Sequence, residues 1–113
     1  MTKINKFKIY SVDLDPTVGA EMNKKRPCIV VSPDEMNAHI RTAMIVPLTS
    51  VARALPTRVP IKASPQSGLK NDSYAVIDQL KTVDKSRLDN LIGEISEAEK
   101  QQITSILLDM FAY

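Results

Sequence analysis

An abrupt change at Pro27, from a basic loop to an apolar run, constrains the folding of this chain more than any other feature. Three cations at positions 24–26 precede the proline, and four apolar residues follow it at positions 28–31. A residue before proline is pushed out of the helical region into an extended conformation, and proline is tolerated at the first position of a strand. The sequence therefore predicts a strand over residues 27–31. Arg26 is then either a preorganised cation directly before the first residue of this strand or a solvated flanking charge.

Other short runs rich in β-branched and aromatic residues predict further strands. They occupy residues 7–14, 43–48, 58–63, 73–79 and, more weakly, 91–95, while residues 81–88 fit a strand, a turn or a helical turn. Pro47 cannot donate to a sheet ladder, so it marks an edge, a bulge or a strand end. Thr49 and Ser50 are therefore expected where the sheet frays. Residues 51–58 are expected to form a mobile loop, and 64–68 a turn.

Two serines begin capping-box patterns, in which a serine and a glutamate three residues later cap a helix reciprocally. The first runs from Ser32 to Glu35, with Pro33 at the first helical position, and predicts a helix of about two turns. The second runs from Ser96 to Glu99 and opens a C-terminal amphipathic helix packed on the sheet. Its apolar face comprises Ala98, Ile103, Ile106, Leu107 and Met110. The expected fold is mainly β with short helices, an α+β domain spanning residues 1–113.

Composition narrows the class of protein. The formal net charge is +2, and residues 94–113 carry a net −3, so the basic surface lies elsewhere in the chain. A single cysteine, Cys28, cannot form an internal disulfide, which suits a reducing compartment. No apolar run approaches the length of a membrane span, and we expect a soluble cytoplasmic protein with no membrane partner.

The residue types exclude several kinds of chemistry. One histidine, His39, and one cysteine cannot supply the ligands of a zinc site, and no nucleophile motif accompanies His39. With only three glycines there is no glycine-rich phosphate loop. We therefore expect no metal and no cofactor. Arginine, carboxylate and hydroxyl groups remain, and this set fits RNA cleavage by transesterification, because the 2′-hydroxyl of the substrate supplies the nucleophile.

Five blocks in order carry a resemblance to a known family: residues 13–17, then Gly19 with Glu21, then 26–27, 47–50 and 78–79. Together they resemble the MazF/PemK (Kid) family of toxin–antitoxin ribonucleases. The resemblance implies a small SH3-like or barrel-type twisted antiparallel sheet and a homodimer. It also implies metal-independent, sequence-specific cleavage of single-stranded mRNA, which inhibits translation and growth. The implied partner is a cognate MazE/Kis-type antitoxin with an acidic, partly disordered tail, whose complex with the toxin binds DNA.

The resemblance suggests roles for four candidate catalytic residues. Arg26 would stabilise the charge on the phosphorane, and Thr49 would donate a hydrogen bond to the same phosphate. Some family members have a histidine and an arginine where this chain has Ala20 and Val76, so a carboxylate is left as the base. Glu21 is preferred for that role, and Asp78 is either the alternative base or a structural strand-end carboxylate.

Seven further residues are expected to contact RNA, mostly its backbone: Lys24, Lys25, Ser50, Arg53, Arg58, Gln79 and Lys81. The antitoxin tail is expected over the loops at 24–26 and 53–58, because its acidic charge complements them. The same charged residues also fit an ordinary solvated surface.

Two other functions compete. A DNA gyrase poison of the CcdB type shares the fold, but those toxins end in Trp-Gly-Ile, whereas this chain ends in Met-Phe-Ala-Tyr and contains no tryptophan. The second alternative is a non-catalytic barrel that binds RNA or a peptide.

Overall fold

Seven strands and two α-helices make up the computed structural model, which describes residues 3–113. The strands are β1 (Lys8–Asp13), β2 (Lys25–Val30), β3 (Thr42–Thr49), β4 (Arg58–Ile61), β5 (Ser73–Val76), β6 (Lys81–Asp84) and β7 (Leu88–Glu94). The helices are α1 (Asp34–His39) and α2 (Glu97–Phe111), and short 3₁₀ turns cover Ile77–Gln79 and Lys85–Arg87. The first two residues of the predicted domain lie outside the described part of the chain.

All strand pairs are antiparallel. The order across the sheet is β4-β5-β3-β2-β1-β7, and β6 pairs with β3 beside this path. The prediction of a mainly β fold with an antiparallel sheet and a C-terminal helix is confirmed. The segment at 81–88, which the sequence left open, forms β6 and a 3₁₀ turn, and the weak strand at 91–95 belongs to the longer β7.

The inner strand β3 changes partner near Pro47. Along one side it pairs with β2, where Cys28 lies opposite Pro47. Along the other side it pairs with β6 as far as Ile45 and with β5 from Leu48. On that second side Pro47 therefore lies at a local edge, one of the three positions that the sequence predicted for it, although β3 itself continues to Thr49. A residue without an N–H is accommodated inside the sheet because no strand lies opposite residues 46 and 47 on that second side.

The strand predicted at 73–79 is also shorter than expected. β5 ends at Val76, and Asp78 and Gln79 lie in the 3₁₀ turn that follows. The predicted loop at 51–58 ends one residue early, because Arg58 is the first residue of β4. These two changes bring Arg58 opposite Val76, next to the turn that carries Asp78.

Apolar side chains are buried on both faces of the sheet. In β2, Ile29 belongs to one cluster, and Cys28 and Val30 belong to the other. This double burial explains why the strand is a continuous apolar run rather than an alternating one. Helix α2 covers the first cluster with Ile103, which is fully buried, while Met110, predicted on the same face, is exposed.

Only one of the two predicted capping boxes forms. At α2, Ser96 Oγ accepts from the Glu99 N–H at 3.2 Å, and Glu99 Oε1 accepts from the Ser96 N–H at 2.8 Å. At α1 the cap prediction is wrong, because Pro33 is the N-cap residue and no side chain caps the helix. The buried Ser32 hydroxyl instead donates to Asn37 Oδ1 at 2.5 Å and accepts from the Met44 N–H at 3.0 Å.

Among residues 3–113, no helix is long and apolar enough to cross a membrane.

Candidate functional site

Two grooves, each lined in part by β3, contain most of the predicted site residues. We call the first the Arg26 groove: it measures about 620 Å³ and is lined by Arg26, Thr49 and Ser50, among others. We call the second the Glu21 groove: it measures about 400 Å³, and its lining includes Glu21, Asp78, Gln79 and Lys81. The structure thus places the predicted catalytic residues in two groups rather than one.

Backbone carbonyls hold the Arg26 side chain. Arg26 is the second residue of β2 and is partly buried. Its Nε donates to Asn23 O at 2.9 Å, and its Nη1 donates to Leu48 O at 3.3 Å. A guanidinium has five N–H donors, so these two bonds orient the group and leave donors for an anion in the groove. This arrangement is what a preorganised cation requires, and a freely solvated charge would not need it.

Strand register brings Thr49 to Arg26. Cys28 pairs with Pro47 and Ile29 with Val46, and this register, continued toward the start of β2, sets Arg26 opposite Thr49. Thr49 is the last residue of β3, and its Oγ1 accepts a hydrogen bond from the Val51 N–H at 3.2 Å. Because the hydroxyl is used there as an acceptor, its own proton remains available to a ligand in the groove. Ser50 follows directly and lines the same groove.

Residues 68–71 also line the Arg26 groove, and of these the sequence analysis assigned only Gly68, as the end of a turn. A Cβ on Gly68, whose φ is +68°, would lie 2.1 Å from Ile92 O. A Cβ on Gly93 would lie 2.2 Å from Ser67 O. These two contacts show that the turn packs backbone against backbone on β7. Lys70 and Asn71 consequently line the same groove as Arg26.

The two grooves differ in charge. The lining of the Arg26 groove includes two cations, Arg26 and Lys70, and no acidic residue among the described side chains. The Glu21 groove has two carboxylates, Glu21 and Asp78, against one cation, Lys81. An anion such as a phosphate is therefore favoured in the Arg26 groove.

Glu21 lies in the exposed loop between β1 and β2, where it closes a short turn. Its Oε1 accepts from the Val18 N–H at 2.6 Å. Gln79 joins this loop to the 3₁₀ turn after β5: Gln79 Oε1 accepts from the Met22 N–H at 2.7 Å, and Gln79 Nε2 donates to Ala20 O at 3.2 Å. The amide predicted to contact RNA thus holds the loop on both sides of Glu21.

Asp78 is paired within the protein. Its Oδ1 accepts from Thr57 Oγ1 at 2.8 Å and from Arg58 Nε at 3.1 Å. Partial burial acts to raise the pKa of the Asp78 carboxyl, but the hydrogen bonds from Thr57 and Arg58 outweigh it, and the pKa lies below its usual value. Asp78 is therefore ionised at neutral pH and fixes the start of β4 to the end of β5.

The remaining predicted RNA-binding residues lie outside both grooves. Lys25 forms an ion pair with Asp89, and the Lys24 backbone closes the hairpin of β1 and β2 through its bond to Asp15 Oδ1 at 3.2 Å. Arg53 is exposed in the loop before β4. Arg58 is engaged by Asp78.

Cys28 contributes no nucleophile. Burial raises the pKa of its thiol to about 12, even though Arg26 and Lys81 act in the opposite direction. Within residues 3–113, no three His, Cys, Asp or Glu side chains are grouped so that they could hold a metal ion.

Comparison with known proteins identifies relatives over most of the chain. The family profile described as "PemK-like, MazF-like toxin of type II toxin-antitoxin system" matches residues 5–111. Endoribonuclease MazF9 of Mycobacterium tuberculosis is 37% identical over 105 residues, covering 88% of this chain and 88% of that protein. Endoribonuclease EndoA of Bacillus subtilis is 34% identical over 109 residues, covering 89% of this chain and 93% of that protein.

The fold also matches a solved structure described as an endoribonuclease in complex with its cognate antitoxin, from a mycobacterial species. The TM-score is 0.79 at 24% identity, and the match covers 97% of this chain and 98% of that chain.

The lowered pKa of Asp78 predicts a pH-dependent contribution to stability. Because the carboxylate is favoured in the folded state, Asp78 stabilises the fold above its unfolded pKa of 3.8, and this contribution is lost as the pH falls through the lower native pKa. Asp78→Asn should therefore melt below the unsubstituted protein at pH 7, and the gap should narrow below about pH 4. Thermal melting of both proteins from pH 7 to pH 3 measures this, with the exposed Asp109→Asn as control. A gap that does not change with pH would show that the Asp78 charge contributes nothing.

Proposed function

The chain belongs to the PemK-like, MazF-like family of toxins of type II toxin–antitoxin systems, and on that premise we propose that it is an endoribonuclease whose scissile phosphate binds in the Arg26 groove. The observation that carries this proposal is the oriented Arg26 guanidinium beside Thr49, in a groove lined by two cations and no described acid. The substrate is single-stranded mRNA, whose cleavage stops translation and growth. That substrate places the protein in the cytoplasm. The family profile spans nearly the whole chain, and we treat residues 1–113 as one toxin domain.

The reaction is an internal transesterification. The 2′-oxygen attacks the adjacent phosphorus, a 2′-O–P bond forms, and the bond from phosphorus to the 5′-oxygen breaks. The products are a 2′,3′-cyclic phosphate and a 5′-hydroxyl, because the departing 5′-oxygen takes up a proton from water. Arg26 stabilises the extra negative charge of the phosphorane through its free donors. The Thr49 hydroxyl donates to a non-bridging oxygen of the same phosphate. Ser50, the next residue along the chain, also contacts this phosphate.

A carboxylate removes the 2′-hydroxyl proton. Glu21 suits this role better than Asp78, because the one described hydrogen bond of its side chain, from the Val18 N–H, lies within its own exposed loop. Asp78 is the second candidate, and its pairing with Thr57 and Arg58 favours a role in shaping the Glu21 groove. Gln79 holds the loop that carries Glu21.

The basic residues outside the Arg26 groove guide the RNA backbone. Lys81 lines the Glu21 groove and is available to a phosphate next to the scissile one. Lys24 and Arg53 are exposed cations on loops, Lys25 is exposed at the first position of β2, and Arg58 lies beside Asp78 at the start of β4. Contacts of this kind contribute affinity that falls as salt rises, with little sequence preference.

We assign two protein partners. The first is a second copy of the chain, because a small sheet leaves strand edges and apolar side chains, such as Leu108 and Phe111, exposed on the monomer. The second is a cognate antitoxin whose acidic, partly disordered tail folds over residues 24–26 and 53–58. The complex of toxin and antitoxin binds DNA.

The homodimer is tested by sedimentation velocity at micromolar protein concentration. A monomer under these conditions would contradict the proposed dimer.

The proposed activity predicts metal-independent cleavage that requires a 2′-hydroxyl. Purified protein incubated with a long single-stranded RNA in EDTA should produce discrete fragments with 5′-hydroxyl ends. An otherwise identical oligonucleotide with a single 2′-deoxy nucleotide at a mapped cut should not be cleaved there, because the nucleophile is missing. Intact RNA would favour a non-catalytic binder, and intact RNA together with inhibition of DNA gyrase would favour the gyrase poison.

Arg26 should contribute to turnover far more than to binding. Arg26→Ala should lower the single-turnover rate by roughly 100- to 1000-fold, the scale for losing one preorganised donor to a developing charge. Arg26→Lys should recover little, because an ammonium cannot reproduce the two-pronged contact. Filter binding on the same preparations should change far less than the rate, and melting curves control for folding. Cleavage by Arg26→Ala within a few-fold of the unsubstituted rate would place the scissile phosphate elsewhere.

A further inference from the structure

The Arg26 groove is larger than a phosphate requires. Its volume of about 620 Å³ is that of a site for a small molecule. Beyond Arg26 and Thr49, its lining includes the apolar side chains Leu69 and Ile92, and its polar groups include Asn71 and Lys70. A site that combines two cations, an apolar surface and a side-chain amide matches the parts of a nucleotide: phosphate, base face and base edge.

The apolar part of the lining can contact the face of one base. Single-stranded RNA is recognised through bases that are splayed from their neighbours and packed against protein side chains. None of the described residues that line this groove is aromatic, so Leu69 and Ile92 offer aliphatic contact rather than a stacking platform. Aliphatic contact holds any base with little preference, and discrimination must come from a polar group at the base edge.

Asn71 offers such a polar group. Its backbone carbonyl accepts from Ser73 Oγ at 3.0 Å, while its exposed side-chain amide carries both a donor and an acceptor. Such an amide pairs with adjacent donor and acceptor groups on a base edge.

The segment that carries Asn71 is held on both sides. Before it, the close approach of Gly68 to Ile92 O and of Gly93 to Ser67 O fixes the turn against β7. After it, Asp72 Oδ1 accepts from the Ala63 N–H at 2.8 Å. A reading group needs a fixed position relative to the scissile phosphate, and these contacts supply it.

We propose that Asn71 is a specificity-determining residue that reads the edge of the base next to the scissile phosphate, while Leu69 and Ile92 contact the face of that base. Lys70 binds the phosphate on the far side of the same nucleotide. This inference rests on the proposed endoribonuclease function and adds to it the place where one base is recognised.

Two substitutions with different chemistry test the proposal on a single-stranded RNA library randomised at every position, with the cut ends sequenced. Asn71→Ala should lower the preference at one position next to the cut by about 5- to 150-fold, the range for one two-pronged base contact. Asn71→Asp leaves only acceptors, so it should shift the preference at the same position toward guanine, whose edge presents adjacent N1–H and N2–H donors. Neither change removes the backbone carbonyl that Ser73 uses.

Asn90→Ala is the matched control, because Asn90 is exposed on β7 and lines neither groove. It should cut with the unsubstituted preference. An unchanged preference in both Asn71 variants, or an equal loss at every position, would overturn the assignment of Asn71 while leaving the nuclease activity standing. Failure of the unsubstituted protein to cut the library would refute the proposed function, and this inference with it.

Discussion

The antiparallel register of β2 against β3 is the constraint on which the Arg26 groove depends. Cys28 lies opposite Pro47, and the same register carries Arg26 toward Thr49 at the mouth of the two strands. The Arg26 side chain then reaches across to Leu48 O, so the cation and the hydroxyl are fixed relative to one another by sheet geometry. A slip of one residue would turn every side chain of β2 to the opposite face. Burial on both faces of β2 opposes such a slip, because Ile29 and Val30 belong to different clusters.

The two grooves differ in the charge of their lining residues. The carboxylates Glu21 and Asp78 lie in one groove, and the unopposed cations lie in the other. A phosphate in the Arg26 groove therefore meets no described acid in its lining, yet Glu21 lies in the neighbouring groove on a loop held by Gln79. Asp78 is committed to Thr57 and Arg58, which explains its lowered pKa. The same residue types would bind phosphate poorly if they were mixed in one groove.

Local patterns predicted the elements well, and long-range contacts account for the errors. The capping box at Ser96 forms because both of its partners lie within four residues. The equivalent pattern at Ser32 fails because Met44 and Asn37 engage the hydroxyl in the interior. Pro47 indicated an interruption of the sheet, but the change of partner from β6 to β5 at that point depends on strands that lie far along the chain.

For the candidate site, too, the sequence indicated individual residues but not the contacts between residues that are far apart in the chain. Family resemblance and the residue types pointed to Arg26, Thr49, Glu21 and Asp78, but not to their separation into two grooves. For the lining residues 68–71, the sequence offers one signal, the glycines at 68 and 93. Gly68 lies against the backbone of Ile92, and Gly93 lies against the backbone of Ser67. Nothing local to Asn71 indicates that it lines the same groove as Arg26, because the contacts that hold its turn against β7 join residues 67 and 68 to residues 92 and 93, more than 20 residues away along the chain.

The most direct measurement of the central claim is the position of the scissile phosphate in a complex. A crystal structure with a short single-stranded oligonucleotide, made resistant to cleavage by one 2′-deoxy nucleotide at the mapped cut, would locate it. The account predicts that this phosphate accepts hydrogen bonds from the Arg26 guanidinium and the Thr49 hydroxyl, within about 3 Å. A phosphate bound instead to Lys81 in the Glu21 groove, with the Arg26 groove empty, would contradict it.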